Sequence, residues 1–183
     1  MKIRVEKIVK LLKRFKINRN KKIKIALDTC VLIDYFDGTG EVAYIQRIFN
    51  LLDKEVIEGF VSVVTITEII KHLRDLEKFG AISNNSIEDI LESIEDNFVI
   101  LSVEYDIAND AGELKSKYST KLRPLSYNDA FIASTAKSLN LTLITCDGEF
   151  FKERVHKLHS RIDEIEILTP ESFAVKISKM SKE

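Results

Sequence analysis

The sequence predicts an α/β protein in which a mostly parallel sheet of five strands carries helices on both faces. Three observations lead there. Short apolar, β-compatible runs lie near residues 23, 60, 98, 141 and 165. Segments with apolar residues at helical spacing separate them, and that alternation belongs to a parallel sheet with helical crossovers. A chain of 183 residues, 45% hydrophobic and 31% charged, suits one globular domain with a single sizeable core.

Residues 1–20 read as an arm. Met1, Val5, Ile8, Leu12 and Phe15 recur at spacings of three and four with Leu11 beside them, which is an amphipathic helix. Residues 1–24 hold eleven Lys and Arg against the single acid Glu6, a local charge of +10; the whole chain is −1, so the remainder is −11. A basic arm on an acidic body suits a polyanion or an acidic protein surface. Docking on its own domain or a second copy, contact with nucleic acid, and binding at a membrane surface are the three readings of it. Asn18, Arg19 and Asn20 break the pattern, so the division is an arm at 1–20 and a domain at 21–183.

The first strand is Ile23 to Leu27, and Thr29 to Phe36 is a buried helix that starts at the sheet edge. Asp37 to Gly40 turn the chain; their Gly-Thr-Gly lacks the Lys-Ser/Thr of a phosphate-binding loop. Residues 41–58 place Val42, Ile45, Ile48, Phe49, Leu52 and Val56 on one helical face, and a strand follows at 60–64. The next helix, 66–79, turns Ile69, Ile70, Leu73 and Leu76 inward and carries Glu68 in its first turn. Residues 86–97 form a polar-faced helix, Phe98 to Leu101 a strand, and 104–118 a helix with Ala108, Ala111 and Leu114 inward. Lys115, Lys117, Lys121 and Arg123 make a basic stretch ahead of Pro124, which is either a grip on a nucleic-acid backbone or a solvated loop. A helix from Ser126 carries Ile132, Ala133, Ala136 and Leu139, and Leu141 to Ile144 are a strand. Residues 149–159 read as helical, Ile165 to Leu168 as an edge strand, and Pro170 opens the last helix.

No apolar run approaches the roughly 20 residues of a membrane span, and the first residues lack the apolar core of a secretory signal. A cytoplasmic location is the expectation. Cys30 and Cys146 do not form a metal-binding CxxC. Reduced buried thiols are expected of them, with a disulfide geometrically open if their strands are neighbours.

Four acids stand just after apolar runs or at helix starts: Asp28, Glu68, Asp129 and Asp147. In an open parallel sheet, ligands bind outside the carboxyl ends of the strands, and all four fall at that edge. Singly, each has a plain reading as a helix cap or a partner of the helix dipole. Gathered in a cleft, they would repel unless protonated or holding cations. An all-oxygen set favours Mg²⁺ or Mn²⁺ over zinc, and water on such an ion is suited to attack a phosphodiester. The Glu68–His72 spacing is that of a helical metal pair, although one pair is a weak signal.

Read together, ALDTCVLIDYF at 26–36, TITEI at 65–69, NDAFIASTA at 128–136, LITCDGEF at 143–150 and ILTPESF at 167–173 resemble the PIN-domain family in order and spacing. The resemblance covers roughly residues 23–175. It implies an α/β/α sandwich and a Mg²⁺ or Mn²⁺ dependent endoribonuclease. Asp28, Glu68, Asp129 and Asp147 match the family's acidic positions, as catalytic residues and metal ligands. Thr29 and Thr145 match hydroxyl positions beside them. The chain is also similar to the toxin component of VapBC-type modules, which implies an RNA substrate, a partner antitoxin and a homodimer. Cys146 stands where the family often has a basic residue, and the basic arm departs from compact toxins, which leaves stand-alone RNA processing open.

Two rivals come from other classes. A non-catalytic module binding RNA or protein through the arm and basic loop would have no use for a repulsive acid cluster. A haloacid-dehalogenase-like phosphatase would want a second Asp where Cys30 stands.

Overall fold

A computed structural model describes residues 22–152 and 159–180; the arm expected at residues 1–20 lies outside them. Five strands, β1 (Ile23–Leu27), β2 (Ile57–Ser62), β3 (Val99–Leu101), β4 (Thr142–Ile144) and β5 (Ile167–Leu168), form one sheet in the order β3-β2-β1-β4-β5. Every pairing is parallel. The helices among the described residues are α1 (Thr29–Asp37), α2 (Val42–Asp53), α3 (Val63–Lys78), α4 (Asn84–Asn97), α5 (Tyr105–Tyr118), α6 (Tyr127–Ser138) and α7 (Pro170–Met180).

Strand periodicity sorts these helices into layers. Side chains alternate across a sheet, so Ile25 and Leu27 of β1, Val61 of β2 and Ile144 of β4 enter one core, with residues of α1, α2, α3, α4 and α7. Ala26, Phe60 and Leu143 face the other side, where α5 and α6 supply Ala111, Leu114, Ile132, Ala133 and Ala136. The result is a three-layer α/β/α sandwich, as the sequence predicts.

Because β1 has β2 on one side and β4 on the other, the strand order reverses about it. The crevice outside the carboxyl ends of β1 and β4 is therefore the switch point at which open α/β sheets take ligands. Leu27 lies opposite Ile144, and the Asp28 amide donates to the Ile144 carbonyl at 3.0 Å. Both strands stop in step, so Asp28 and the Thr145–Asp147 segment leave the sheet side by side.

Four sequence expectations shift. The helix expected over 41–58 ends at Asp53: Glu55 takes a left-handed φ of 56° and the Val56 amide bonds back to Leu51. Val56, expected inward, is exposed, and β2 begins at Ile57. The strand expected over 60–64 ends at Ser62, whose hydroxyl accepts from the Val64 amide and caps α3. Starting three residues early, α3 carries Glu68 in its second turn and leaves Ile70 exposed. Of the helix expected over 149–159, the described residues show a 3₁₀ turn, Gly148–Phe150, after which Phe151 bridges Ser160 antiparallel. The Lys152 amide donates to the His159 carbonyl and the Arg161 amide to that of Phe150; residues 153–158, with His156, lie outside the described set. The edge strand expected over 165–168 is reduced to β5.

Candidate functional site

Asp28 is the first residue beyond β1 and the N-cap of α1. Its Oδ1 accepts from the Thr29 amide at 2.7 Å; its Oδ2 accepts from the Thr145 hydroxyl at 2.6 Å and the Cys30 thiol at 3.3 Å. Only 4% of the residue is exposed. Burial, with the charge of Asp129 nearby, outweighs these three donors and pushes its pKa up to about 6.

Asp129 sits at the third position of α6 in a reciprocal capping box. Its amide donates to Ser126 Oγ at 3.0 Å and its Oδ2 accepts from the Ser126 amide at 3.2 Å. Burial and the charges of Asp147 and Glu68 raise its pKa. Asp147 caps the 3₁₀ turn through Oδ1, which accepts from the Glu149 amide at 2.8 Å; its own amide donates to Thr145 Oγ1 at 2.9 Å. Glu68 accepts from the Thr29 hydroxyl and, at 2.7 Å, from Asn128 Nδ2.

Capping and clustering are thus the same feature. Asp28, Asp129 and Asp147 stand at helical starts on the carboxyl edge of the parallel sheet, each with a local capping bond, and Glu68, in the second turn of α3, is held at the same rim by Thr29 and Asn128 from other segments. All four acids line one cleft of about 570 Å³. Lys71 and His72 line it too, but Lys71 pairs with Asp75 and His72 with Asp37, so the Glu68–His72 pair is not formed. Among the described residues no Lys, Arg or His pairs with the four acids, and no three candidate ligands already stand in a metal-holding arrangement. An open set of hard oxygens facing one cleft fits a Mg²⁺-like ion, which keeps several waters, better than a closed zinc site.

A family model described as PIN domain matches residues 25–156. The chain belongs to the PIN domain family. Its fold is similar to those of several solved structures. VapBC2 from Rickettsia felis, bound to a promoter DNA fragment, matches with a TM-score of 0.61 at 18% identity over 80% of this chain and 98% of that one. VapBC-1 from nontypeable Haemophilus influenzae matches at 0.58 and 24% identity, over 81% and 99%. PAE2754 from Pyrobaculum aerophilum matches at 0.56 and 17% identity, over 86% and 98%. No curated protein matches by sequence. Among the described residues no helix of this PIN domain is long and apolar enough to cross a membrane.

The basic stretch is largely occupied within the PIN domain itself. Lys115 bonds the Leu125 carbonyl and stands 4.3 Å from the Tyr127 ring centroid, and Lys117 pairs with Glu164 at 2.5 Å. Arg123 donates to the carbonyls of Gly148 at 3.2 Å, Lys152 at 2.8 Å and Phe151, clamping the loop that begins with Asp147. Lys121 is exposed. Sequence reasoning missed three supporting residues: Ser126, Asn128 and Arg123 as a clamp. The Ser-x-x-Asp spacing of residues 126–129 was a readable signal for the first; the clamp joins loops far apart in the chain and left no local pattern. Arg123→Ala is expected to lower stability by about 2 kcal/mol in urea denaturation, since the carbonyls of Phe151 and Lys152 lose the Arg123 donor and that of Gly148 keeps only the Phe151 amide. Arg123→Lys should recover less than half of that, because one ammonium cannot reproduce the planar fork.

Proposed function

We propose that this PIN domain is a metal-dependent endoribonuclease hydrolysing RNA phosphodiester bonds. The observation that carries the reading is the set of four carboxylates in one cleft, two of them with raised pKa, and no described cation paired to them. A group of acids that destabilise one another is what a cation site needs and a plain binding surface does not.

Asp28, Asp129 and Asp147 would hold the principal ion, Mg²⁺ or Mn²⁺. When bound, the ion supplies an acidified water and neutralises charge on the phosphate. The chain's own residues do the positioning. Thr145 orients Asp28 by donating to Oδ2 and aligns Asp147 by accepting from its amide. Thr29 and Asn128 hold Glu68, which would accept a proton from the attacking water. Ser126 fixes Asp129.

The fold likeness to toxins of VapBC complexes supports a toxin role, with an antitoxin and a second copy of the chain as partners. The test is a mixed pool of structured and single-stranded RNAs given Mg²⁺, Mn²⁺ or chelator, beside Asp129→Asn, whose amide oxygen keeps the capping box. Cation-dependent cutting lost in the variant is the expected result. Cutting in chelator, equal cutting by the variant, or none by folded protein would each overturn the reading.

A further inference from the structure

We propose that Cys30 and Cys146 are an oxidisable dithiol in the floor of the cleft, which a low-molecular-weight disulfide closes into an intramolecular bond that weakens the acids' hold on a divalent cation. The second half rests on the cation-binding reading above; the first does not.

Cys30 lies in the first turn of α1, two residues past Asp28, and Cys146 stands between Thr145 and Asp147. The strands that precede them, β1 and β4, are neighbours in register, Leu27 opposite Ile144, and the Asp28 amide extends that ladder. The Cys146 amide donates to Cys30 Sγ at 3.1 Å. Both are half-buried and line the cleft. With the backbone amide of one cysteine against the sulfur of the other, closing the pair calls for side-chain rotation rather than a large backbone movement.

The exchange balances. One thiol gives up its proton and attacks the reagent disulfide, forming a mixed disulfide and releasing one reagent thiol. The other then attacks the protein-bound sulfur and releases the second. Two protein thiols and one reagent disulfide become one protein disulfide and two reagent thiols.

The bond would reach the acids directly. Cys30 Sγ donates to Asp28 Oδ2 at 3.3 Å and lies 3.4 Å from Thr145 Oγ1. Once it is bonded to Cys146, that S–H donor is gone, and the segment leading into Asp147 is tied to α1. Losing a supporting contact of this kind typically costs about tenfold or more in metal affinity.

The experiment treats the full chain with oxidised glutathione, then reads intact mass, titratable thiols and Mn²⁺ affinity by calorimetry. The expected result is a mass lower by two hydrogens, no titratable thiol, and Mn²⁺ binding about tenfold weaker that recovers on reduction with dithiothreitol. Cys30→Ser and Cys146→Ser should each stop at a single glutathione adduct. Wild-type protein that keeps both thiols, or carries a glutathione on each, overturns the dithiol. An internal disulfide with unchanged Mn²⁺ affinity overturns its coupling to the acids. Reduced protein that binds no Mn²⁺ overturns the cation-site reading while the mass and thiol results stand.

Discussion

Asp28→Asn is expected to reduce RNA cleavage by about three orders of magnitude, the size of effect seen when a fixed electrostatic contact at a reacting centre is removed. The substitution changes little else. The amide Oδ1 still accepts from the Thr29 amide, and Nδ2 can donate to Thr145 Oγ1 in place of the bond now running the other way. The hydroxyl keeps a lone pair for the Asp147 amide, so the loop stays in place. Single-turnover cleavage with saturating Mn²⁺ is the check. Activity within tenfold of wild type would remove Asp28 from the reaction.

Cation-free wild-type protein is expected to lose about 3 kcal/mol of stability between roughly pH 4 and pH 7, and Asp28→Asn to be spared most of that loss. The folded-state pKa of Asp28 is raised, from 3.8 to about 6. A raised acid stabilises the fold while protonated; that contribution is full below the unfolded pKa and is lost as pH rises through the folded one. The raised pKa of Asp129 acts in the same sense. Urea denaturation in chelator across that range, wild type against variant, isolates the Asp28 part. Saturating Mn²⁺ at pH 8 should restore about 2.7 kcal/mol at a hundred times its dissociation constant. Equal pH slopes for the two proteins would show that Asp28 is not destabilised by folding.

The sheet was legible because its central strands announce themselves. IKIAL and TLI are apolar, each is flanked by residues of helical period, and β1 and α1 came out nearly residue for residue. The stretch Phe60 to Thr65 misled because its β-branched residues favour a strand, whereas the Ser62 cap and the burial of Thr65 and Ile69 make Val63 onward a helix. Propensity there is overruled by packing. Around Phe150 and Phe151, both fully buried, helical spacing gave no hint of the antiparallel bonds between Lys152 and His159 and between Arg161 and Phe150. The acids were readable one by one, from the ends of their elements. Their hydrogen bonds to Thr29, Ser126, Asn128 and Thr145 were only partly so, since most cross between segments distant in the chain.

The placement of β4 beside β1 also bears on how the protein is made. While a ribosome has delivered the chain only as far as β3, the emerging polypeptide holds Asp28 and Glu68 but neither Asp129 nor Asp147, and one flank of β1 has no partner. A PIN domain built in this order has half of its four cleft acids until α6 and β4 emerge, and the Asp28 amide has no Ile144 carbonyl to meet until β4 docks. The cost is an open strand edge at the centre of the future sheet, where mispairing can begin.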